Sequence, residues 1–342
     1  MGHVAPSLAV AEALRARGVE VTFAGSPDRV EARLVPERGY AFDAFRVAGF
    51  PRRPGLRLAR ALALAAASPV ACLRILGRRR PDVVLGAGGY VAGPMVLAAW
   101  LRRIPAALTE ADAHLGLANR LAAPFARRLF LAYPIDGVNG KARVVGRPIP
   151  STSQAVARDE ARRRFELPQE GPLVLVFGGS LGSRTLNDAA VQAWGAGGPA
   201  VLHLSGERDY EALRGRVSRP DYRMLPFVDD FGAALAAADI VVSRAGGSVW
   251  EIAAAGKPAI LVPYPDATAN HQLKNAEYFD GARGAEIVVD EQAGEQVPLL
   301  VAKLLADPER LAAMGAAMHA AAKPDAAERI ADELIALATA RR

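Results

Sequence analysis

Cysteine is almost absent from this sequence, since Cys72 is the only one among 342 residues. An intramolecular disulfide framework and a cysteine-ligated zinc site are therefore excluded. Long apolar runs are also missing: the longest, at residues 61–73, contains Pro69 and is too short to span a bilayer. We expect a soluble cytosolic protein without a secretory signal or a transmembrane segment.

Acidic residues are scarce in the first half of the chain. Residues 1–150 carry 22 basic and 10 acidic side chains, whereas residues 151–342 carry 20 and 26. Because the two halves differ in the sign of their charge, a uniformly basic nucleic-acid-binding protein is disfavoured. Apolar residues make up 51% of the chain, which excludes intrinsic disorder. We expect two domains that face different partners.

Short β-branched runs alternate with longer amphipathic runs, a pattern typical of βαβ units and parallel sheets. The predicted strands are residues 19–24, 82–86, 106–109, 129–132, 173–177, 200–204, 222–225, 240–243 and 259–263. The predicted helices are residues 5–17, 91–101, 116–126, 184–193, 230–237, 249–255, 271–279 and 325–340. Pro148 and Pro150 break any regular element between the halves. The pattern predicts an α/β protein with two doubly wound lobes.

The predicted domains are an N-terminal lobe at residues 1–148, a C-terminal lobe at 149–323, and a final helix at 324–342 that packs back on the N-terminal lobe. Ligands of such sheets bind beyond the carboxyl ends of the strands, so we expect the site in the cleft between the lobes. The chain leads from Met1 directly into a helix, whereas a parallel sheet normally supplies a strand and a glycine turn first. Either a first strand is encoded upstream of Met1 or the sheet lacks a strand, and we expect the former because a missing strand would expose backbone donors and acceptors.

Two glycine-rich runs each follow a predicted strand and precede a predicted helix. Glycines let the backbone approach a pyrophosphate, and a helix N-terminus offers unpaired N–H groups. Residues 177–184 read Phe-Gly-Gly-Ser-Leu-Gly-Ser-Arg, which predicts a phosphate site, since a plain turn needs only one glycine. In the run at 243–251, Glu251 could accept both hydroxyls of a ribose or merely favour the helix dipole. The candidate nucleotide-binding residues are Gly178, Gly179, Ser180, Gly182, Gly246, Gly247, Ser248 and Glu251.

A cluster of polar side chains marks the start of the predicted helix at residues 271–279. The amide and imidazole groups of His271 and Gln272 are suited to reading sugar hydroxyls through hydrogen bonds. An ordinary polar helix start, with Asn270 as its cap, is the alternative.

The first lobe contains two further glycine-rich helix starts, at residues 2–3 and 86–94. Either could hold a second diphosphate, and the residues in question are Gly2, His3, Gly88, Gly89 and Tyr90. His3 is suited to act as a general base near neutral pH, or it only caps a helix.

Two carboxylates follow the predicted strand at residues 106–109. Glu110 and Asp112 are rivals of His3 for the role of base, or they orient the acceptor. No set of His, Asp and Glu residues has the spacing of metal ligands, and His114, His203 and His319 are interpreted as structural.

Nine arginines lie between residues 44 and 81 without one acidic residue. They flank apolar residues, and such helices can lie in a membrane interface, where each cation contributes ~1 kcal/mol with anionic lipid. A solvated helix face is the alternative, disfavoured because no counter-ion lies nearby in the sequence. The candidate membrane-contacting residues are Arg52, Arg53, Arg57 and Arg60.

Taken together, these runs resemble the MurG family, the lipid-linked N-acetylglucosaminyltransferases of peptidoglycan synthesis (glycosyltransferase family 28). The resemblance covers nearly the whole chain and rests on residues 2–9, 88–94, 116–120, 178–182 and 244–276. It implies a GT-B fold, with two Rossmann-like lobes whose parallel sheets face an inter-lobe cleft. It also implies an inverting hexosyltransferase, peripheral on the cytoplasmic face of the cell membrane. The enzyme would transfer GlcNAc from UDP-GlcNAc to the MurNAc C4 hydroxyl of undecaprenyl-diphosphoryl-MurNAc-pentapeptide, without a cofactor or a catalytic metal.

The resemblance also implies roles for individual residues. Ser180 and its glycines would hold the donor diphosphate, while Gly247, Ser248 and Glu251 would hold the nucleoside. The backbone of Val228 would read the uracil edge. The GlcNAc hydroxyls would contact His271 and Gln272, and the lipid-diphosphate acceptor would contact Gly2, Gly88, Gly89, Tyr90 and Asn119.

The sequence departs from the family pattern at four points. The family opens with a strand and Gly-Gly-Thr-Gly-Gly-His, of which only Gly2-His3 remains. The family's Glu-Gln-Asn is Glu110-Ala111-Asp112, which replaces a neutral amide with a charge. Its Gly-Asn-Pro-Val-Arg is Gly-Arg-Pro-Ile-Pro at residues 146–150, so the donor-contacting arginine is lost, and Arg147 is the nearby candidate to replace it. The glycine turn before Glu251 is one residue shorter.

Three other functions remain open on the sequence. A related GT-B transferase could use a different lipid or a small-molecule acceptor. A UDP-GlcNAc 2-epimerase could share the architecture, but it needs no lipid, so the arginine-flanked apolar segment argues against it. A nucleotide-sugar-binding protein without catalytic activity is the third.

Overall fold

The computed structural model describes residues 4–47, 55–138, 140–150, 156–179 and 181–340, and at residues 56–66 it describes the backbone only. The chain divides into two compact units. One is Met1–Ile149 together with Pro324–Arg342, and the other is Pro150–Lys323.

The first unit begins with helix α1 (Val4–Ala16) and continues through strands and helices in alternation. These are β1 (Thr22–Gly25), α2 (Glu31–Glu37), β2 (Ala41–Ala44), α3 (Leu56–Arg79), β3 (Val84–Gly86), α4 (Gly89–Leu101), β4 (Ala106–Glu110), α5 (Leu117–Ala122), β5 (Arg128–Leu131) and β6 (Ala142–Val144). Strands β1 and β2 pair in parallel, and β3, β4, β5 and β6 form a separate parallel sheet in that order. In the described part of this unit the parallel strands thus form two sheets.

The second unit has the regular alternation of a doubly wound domain. Its elements are α6 (Arg158–Arg164), β7 (Leu173–Phe177), α7 (Arg184–Trp194), β8 (Ala200–Leu204), α8 (Glu207–Leu213), β9 (Tyr222–Leu225), α9 (Phe231–Ala237), β10 (Ile240–Ser243), α10 (Val249–Ala254), β11 (Ala259–Leu261), α11 (His271–Gly281), β12 (Ala285–Ile287), α12 (Ala293–Leu305) and α13 (Pro308–Ala321). All six strands are parallel, in the order β12-β11-β10-β7-β8-β9.

The core of the second unit lies on both faces of this sheet. Every residue of β7, β8 and β10 is buried, as expected of central parallel strands that helices cover on both sides. Leu186 and Trp194 of α7 and Val301 of α12 belong to one apolar cluster with the strands. The sequence predicted β7, β8, β9 and β10 with the bounds that the structure has.

The last helix, α14 (Ala326–Thr339), belongs to the first unit. Its buried residues Ile330 and Leu334 pack in one cluster with Val10 and Leu14 of α1. The ion pair of Arg17 with Asp332, at 2.7 Å, lies at the exposed edge of this contact.

The helix predicted at residues 116–126 is wrong in its second half. Helix α5 ends at Ala122, and Ala123–Phe125 is a turn of 3₁₀ helix. Pro124 explains the difference, because its ring fixes φ and it supplies no N–H to an α-helical bond.

Candidate functional site

The carboxyl ends of five neighbouring strands in the second unit lie at one level. The sheet register aligns their last residues, which are Leu261, Ser243, Phe177, Leu204 and Leu225. Loops that follow parallel strands leave the sheet at the same edge. Every predicted donor-binding residue in the described part of the chain follows β7, β9, β10 or β11 and therefore lies at or near this edge. They are Gly178, Gly179, Gly182, Val228, Gly246, Gly247, Ser248, Glu251, His271 and Gln272.

The glycine loop after β7 is folded so tightly that close contacts exclude a side chain at Gly178 and at Gly182. Gly179 and Gly182 have φ angles of 89° and 72°, which favour glycine. A Cβ on Gly178 would lie 2.4 Å from the Ser183 nitrogen, and one on Gly182 would lie 2.2 Å from the Ser205 carbonyl oxygen. The Ser183 hydroxyl caps α7 by accepting the Leu186 N–H at 3.4 Å. The loop thus brings bare backbone to the N-terminus of an 11-residue helix, an arrangement suited to an anion.

The second glycine loop follows β10, the strand next to β7. Gly246 has open space where a Cβ would be, and α10 begins three residues later, at Val249. Glu251 lies half-buried in the first turn of α10, and the Glu251 N–H donates to the Ser248 carbonyl at 3.0 Å. Its neighbour Trp250 is fully buried and anchors this turn. Glu251 is therefore held at the start of the helix, as the sequence predicted.

Hydrogen bonds to the backbone orient the two predicted sugar-contacting side chains at the start of α11. His271 Nδ1 lies 2.8 Å from the Thr268 carbonyl oxygen; because a carbonyl only accepts, Nδ1 carries the proton and Nε2 of the neutral ring is an acceptor. Gln272 Oε1 accepts the Tyr264 N–H at 2.9 Å. Because Oε1 of Gln272 is occupied by this bond, its NH₂ group is the part of the side chain that can donate to a ligand. Neighbouring residues thus present one acceptor and one donor.

Asn275 and Arg244 tie the loops of this edge together, and sequence reasoning assigned neither a role. Asn275 is buried in α11 and donates to the Ala245 carbonyl at 3.1 Å. The Arg244 guanidinium donates to Asp290, to the Val262 carbonyl at 3.1 Å and to the Thr185 hydroxyl at 3.4 Å. Arg244 thus joins the segments that follow β10, β11 and β12 to the first turn of α7. In the sequence, the position of Arg244 directly after a predicted strand and before a glycine run was the signal that could have identified it.

Val228 lies half-buried two residues beyond Pro226, which β9 leads into. The carbonyl of Pro226 accepts the Gly206 N–H at 3.1 Å, so this segment is joined to the turn after β8. The next helix is capped by Asp230, whose carboxylate accepts the Ala233 N–H at 2.9 Å. The backbone around Val228 is fixed on both sides.

In the first unit, Glu110 organises the loop at residues 111–116. One carboxylate oxygen accepts the Ala111 N–H at 3.0 Å and the Asp112 N–H at 3.4 Å. The other accepts the Gly116 N–H at 3.0 Å and the Asn119 amide at 2.9 Å. With both oxygens engaged by four donors, Glu110 is built to hold the loop.

Asn119 lies buried beneath the same loop. Its amide nitrogen also donates to the Thr109 carbonyl at 2.9 Å, whereas its Oδ1 is buried without a hydrogen-bond partner among the described residues. Gly88 and Gly89, with φ angles of 88° and 67°, form the turn between β3 and α4. Tyr90 follows in the first turn of α4, with the Arg29 guanidinium 5.9 Å from its ring centre.

Several predicted residues lie outside the described part of the chain. They are Gly2, His3, Arg52, Arg53 and Ser180. For Arg57 and Arg60 the structure gives the backbone, which lies in the first turns of α3. In the described ranges no group of three or more His, Cys, Asp or Glu side chains is arranged to hold a metal ion.

The expectation that the arginine-rich segment lacks a counter-ion is wrong for two arginines. Arg78 and Arg79, at the end of α3, pair with Asp43 at 3.1 and 2.7 Å. Asp43 lies in β2, one residue before the arginine-rich segment begins.

Exposed apolar side chains lie on the helices that contact α3 or follow it. Trp100 is 52% exposed at the end of α4, and Leu117 and Leu121 are 65% and 64% exposed on one face of α5. The Trp100 ring meets Phe125 edge to face at 5.2 Å. None of the helices in the described ranges has the length and apolar character needed to cross a membrane.

Two family descriptions match the chain. The glycosyltransferase family 28 N-terminal domain matches residues 1–131, and the glycosyltransferase family 28 C-terminal domain matches residues 173–330. Among curated relatives is the UDP-N-acetylglucosamine–N-acetylmuramyl-(pentapeptide) pyrophosphoryl-undecaprenol N-acetylglucosamine transferase of Salinibacter ruber, 39% identical, covering 98% of this chain and 94% of its own. The protein of the same name from Halorhodospira halophila is 41% identical, with coverages of 96% and 94%.

Solved structures show the same fold. The crystal structure of MurG from Acinetobacter baumannii superposes with a TM-score of 0.80 at 28% identity and covers 98% of this chain and 96% of its own. A UDP-GlcNAc 2-epimerase from Neisseria meningitidis superposes with a TM-score of 0.66 at 13% identity, covering 98% and 97%, which speaks for the fold alone. The predicted α/β class and GT-B fold are confirmed. With both family domains matched along most of its length, the chain belongs to glycosyltransferase family 28.

Proposed function

We propose that the protein transfers GlcNAc from UDP-GlcNAc to the MurNAc C4 hydroxyl of undecaprenyl-diphosphoryl-MurNAc-pentapeptide, with inversion, in peptidoglycan synthesis. Relatives with the names given above, each covering nearly the whole chain, support this substrate pair. The assignment of the UDP-GlcNAc site rests on one observation: β7, β9, β10 and β11 end at the same level. Two glycine loops and the polar start of a helix therefore lie at one edge of the sheet.

The glycine loop after β7 is our candidate for binding the donor diphosphate. Three of its residues, Gly178, Gly179 and Gly182, have no Cβ, and the loop leads into the positive N-terminal end of α7. As the bond between sugar and phosphate breaks, negative charge grows on the leaving UDP. Fixed N–H groups aimed at that charge stabilise the transition state more than the bound substrate. We assign Gly178, Gly179, Ser180 and Gly182 to this role.

The other loops of the same edge are assigned to the nucleoside and the sugar. A carboxylate with two acceptor oxygens suits the vicinal hydroxyls of ribose, and Glu251 is held at the start of α10 beside Gly246, Gly247 and Ser248. The backbone of Val228 is the candidate reader of the uracil edge. His271 and Gln272 present an acceptor and a donor, which together match a pair of sugar hydroxyls.

The acceptor is assigned to the first unit, at Gly2, Gly88, Gly89, Tyr90 and Asn119. Asn119 is buried beneath the loop at residues 111–116 and donates to Glu110 and to the Thr109 carbonyl, so it supports that loop from below. Three residues are candidates for the base that removes the C4 proton: His3, Glu110 and Asp112. Because four donors occupy the Glu110 carboxylate, we favour His3 or Asp112 as the base and Glu110 as the residue that positions Asp112.

We further propose that the first unit associates peripherally with the cytoplasmic face of the membrane through α3 and its neighbours. The arginine-rich segment and the exposed Trp100, Leu117 and Leu121 combine cations with apolar surface, which suits anionic lipid. Replacing Arg52, Arg53, Arg57 and Arg60 with Gln should reduce sedimentation with anionic vesicles. Four exposed arginines of the second unit, Arg163, Arg214, Arg216 and Arg223, changed in the same way, serve as the control. Equal sedimentation of the two variants would remove the membrane assignment.

A transfer assay tests the reaction itself. The protein is incubated with the undecaprenyl-diphosphoryl acceptor and, separately, radiolabelled UDP-GlcNAc, UDP-GalNAc or UDP-glucose. We expect label in the lipid fraction with UDP-GlcNAc. Label transferred only from another donor, or conversion of UDP-GlcNAc to its 2-epimer without transfer, would contradict the proposal.

The substitution Glu251→Gln tests the proposed donor site, through the binding of UDP to the protein. We expect the dissociation constant for UDP to rise about tenfold, because a charged hydrogen bond to ribose is lost. Glu277→Gln, an exposed glutamate of α11, is the matched control and should bind UDP as the unaltered protein does.

A further inference from the structure

A chain of buried polar side chains runs beneath the glycine loop after β7. His203, in the middle of β8, is fully buried, and both of its ring nitrogens are engaged. Its Nε2 lies 3.0 Å from Asn187 Oδ1 in α7, and its Nδ1 lies 2.8 Å from the Tyr222 hydroxyl in β9. These side chains therefore link two strands to the helix that the glycine loop precedes.

The partners of Asn187 determine which group donates and which accepts in each hydrogen bond between Asn187, His203 and Tyr222. The Asn187 Nδ2 group donates to the Ser205 carbonyl at 2.9 Å and to the Asp209 carboxylate at 3.1 Å. Since both partners are acceptors, Oδ1 must face His203 and accept from Nε2–H. The other nitrogen of the neutral ring then accepts from the Tyr222 hydroxyl.

The electrostatics agree with this assignment. Burial lowers the pKa of His203 to about 4, so the ring is neutral at physiological pH. The hydrogen bond from Arg208 holds the pKa of Asp209 below its ordinary value, so Asp209 remains an acceptor for Asn187. Burial raises the pKa of Tyr222, so its hydroxyl keeps the proton that it donates.

The end of this chain is in contact with the glycine loop. The Ser205 carbonyl that Asn187 holds is the atom that a Cβ on Gly182 would meet at 2.2 Å. A Cβ on Gly206 would in turn lie 2.6 Å from the Gly182 nitrogen. The turn after β8 is therefore in direct contact with Gly182. Asn187 holds this turn through its hydrogen bond to the Ser205 carbonyl, and the hydrogen bonds of His203 and Tyr222 hold the Asn187 side chain in place.

We propose that His203 and Tyr222 are positioning residues for the glycine loop, and that they set the affinity for the diphosphate of the donor without contacting it. The inference rests on the proposed function, which assigns that loop to the diphosphate. A side chain that only stabilised the unit would not distinguish one part of the nucleotide from another. The positioning role predicts an effect on phosphate-bearing ligands and none on the nucleoside.

The test compares UDP with uridine as inhibitors of the transfer reaction in the full chain. Tyr222→Phe keeps the ring and removes only the hydroxyl that His203 accepts from. We expect its inhibition constant for UDP to rise about fivefold, the usual effect of one lost buried hydrogen bond, with uridine unchanged. Tyr278→Phe removes a hydroxyl that donates to the Ala321 carbonyl elsewhere in the unit, and it should change neither constant.

Two substitutions of His203 complete the test. Gln can place an N–H near the position of Nε2, so His203→Gln should keep most of the affinity for UDP, whereas His203→Leu should lose more than Tyr222→Phe does. Thermal melting monitors folding, and should His203→Leu not fold, Tyr222→Phe and its control still decide. Inhibition by UDP and uridine that shifts equally, or not at all, in Tyr222→Phe overturns the positioning role. Failure of UDP to inhibit the unaltered protein would instead overturn the proposed function.

Discussion

Replacing Arg244 should loosen the edge of the sheet at which the proposed donor-binding loops meet. Its side chain is 10% exposed and its partner Asp290 is 20% exposed, so neither charge is well solvated. Among the described residues, Arg244→Met leaves the Asp290 carboxylate with the Thr185 hydroxyl, at 3.1 Å, as its remaining side-chain partner. It also leaves the Val262 carbonyl without the guanidinium.

The expected cost follows from this burial. Removing one partner of a buried ion pair typically costs 3–5 kcal/mol, and the partial exposure of Asp290 places this case at about 3 kcal/mol. For a unit of this size that corresponds to a fall in melting temperature of about 6–12 °C. Because Arg244 joins loops after three strands to α7, the affinity for UDP should fall as well.

A double-mutant cycle with Asp290→Asn separates the pair from its surroundings. Asn removes the charge but can still accept from Thr185, so the double variant should be more stable than the sum of the single changes predicts, by about 1–2 kcal/mol. Arg223→Met, which breaks an exposed pair with Glu166, is the control and should cost about 0.5 kcal/mol or less. Denaturant unfolding gives all four values. A loss below about 1 kcal/mol in Arg244→Met, or strict additivity in the cycle, would refute the reasoning.

Three further outcomes are expected. Glu110→Gln turns an NH₂ group toward N–H donors, so the free energy of unfolding of the first unit should fall by about 2 kcal/mol. Denaturant unfolding measures this, and an unchanged midpoint would show that the carboxylate does not hold the loop. Gln272→Glu keeps an acceptor for the Tyr264 N–H but loses the donor; affinity for UDP-GlcNAc should therefore fall about tenfold while affinity for UDP stays constant, and equal losses would remove its sugar contact. The unfolded chain protonates His203 below about pH 6.5 and the folded chain only near pH 4, so the free energy of unfolding should decrease by about 3 kcal/mol as the pH falls through this window. This decrease should be absent from the His203→Gln background, where the residue does not titrate.

The sequence predicted those parts of the fold that local chemistry determines. Buried apolar runs with β-branched residues predicted β7, β8 and β10 with their bounds, and β9 was predicted although Tyr-Arg-Met-Leu contains no β-branched residue. The glycine loops followed from residues that need a positive φ or close backbone approach. The strands β2, β6 and β12 were missed; they read Ala-Phe-Asp-Ala, Ala-Arg-Val and Ala-Glu-Ile, which are short and each contain a charged residue.

The roles of single side chains depended on contacts between distant segments. Arg244 and Asp290 are 46 residues apart, and only the fold brings them together. Glu110 was predicted as a rival base, yet its carboxylate is filled by N–H groups of the loop that follows, a use that the sequence pattern Glu-Ala-Asp does not reveal. His203 was interpreted as structural, and its burial and two partners agree with that, but its connection to Gly182 became visible only through Asn187 and Ser205.

Because β11, β10, β7, β8 and β9 end at the same level, the loops that follow them all start from one edge of the sheet. A loop at this edge can be replaced without changing where the other loops start. A segment grafted between β11 and α11 would begin level with the neighbouring loops, and it would have to keep the Val262 carbonyl that accepts from Arg244. The glycine loops that we propose hold the nucleotide could then stay intact while the proposed sugar-contacting segment is exchanged. Donor preference in this scaffold should thus be open to redesign one segment at a time.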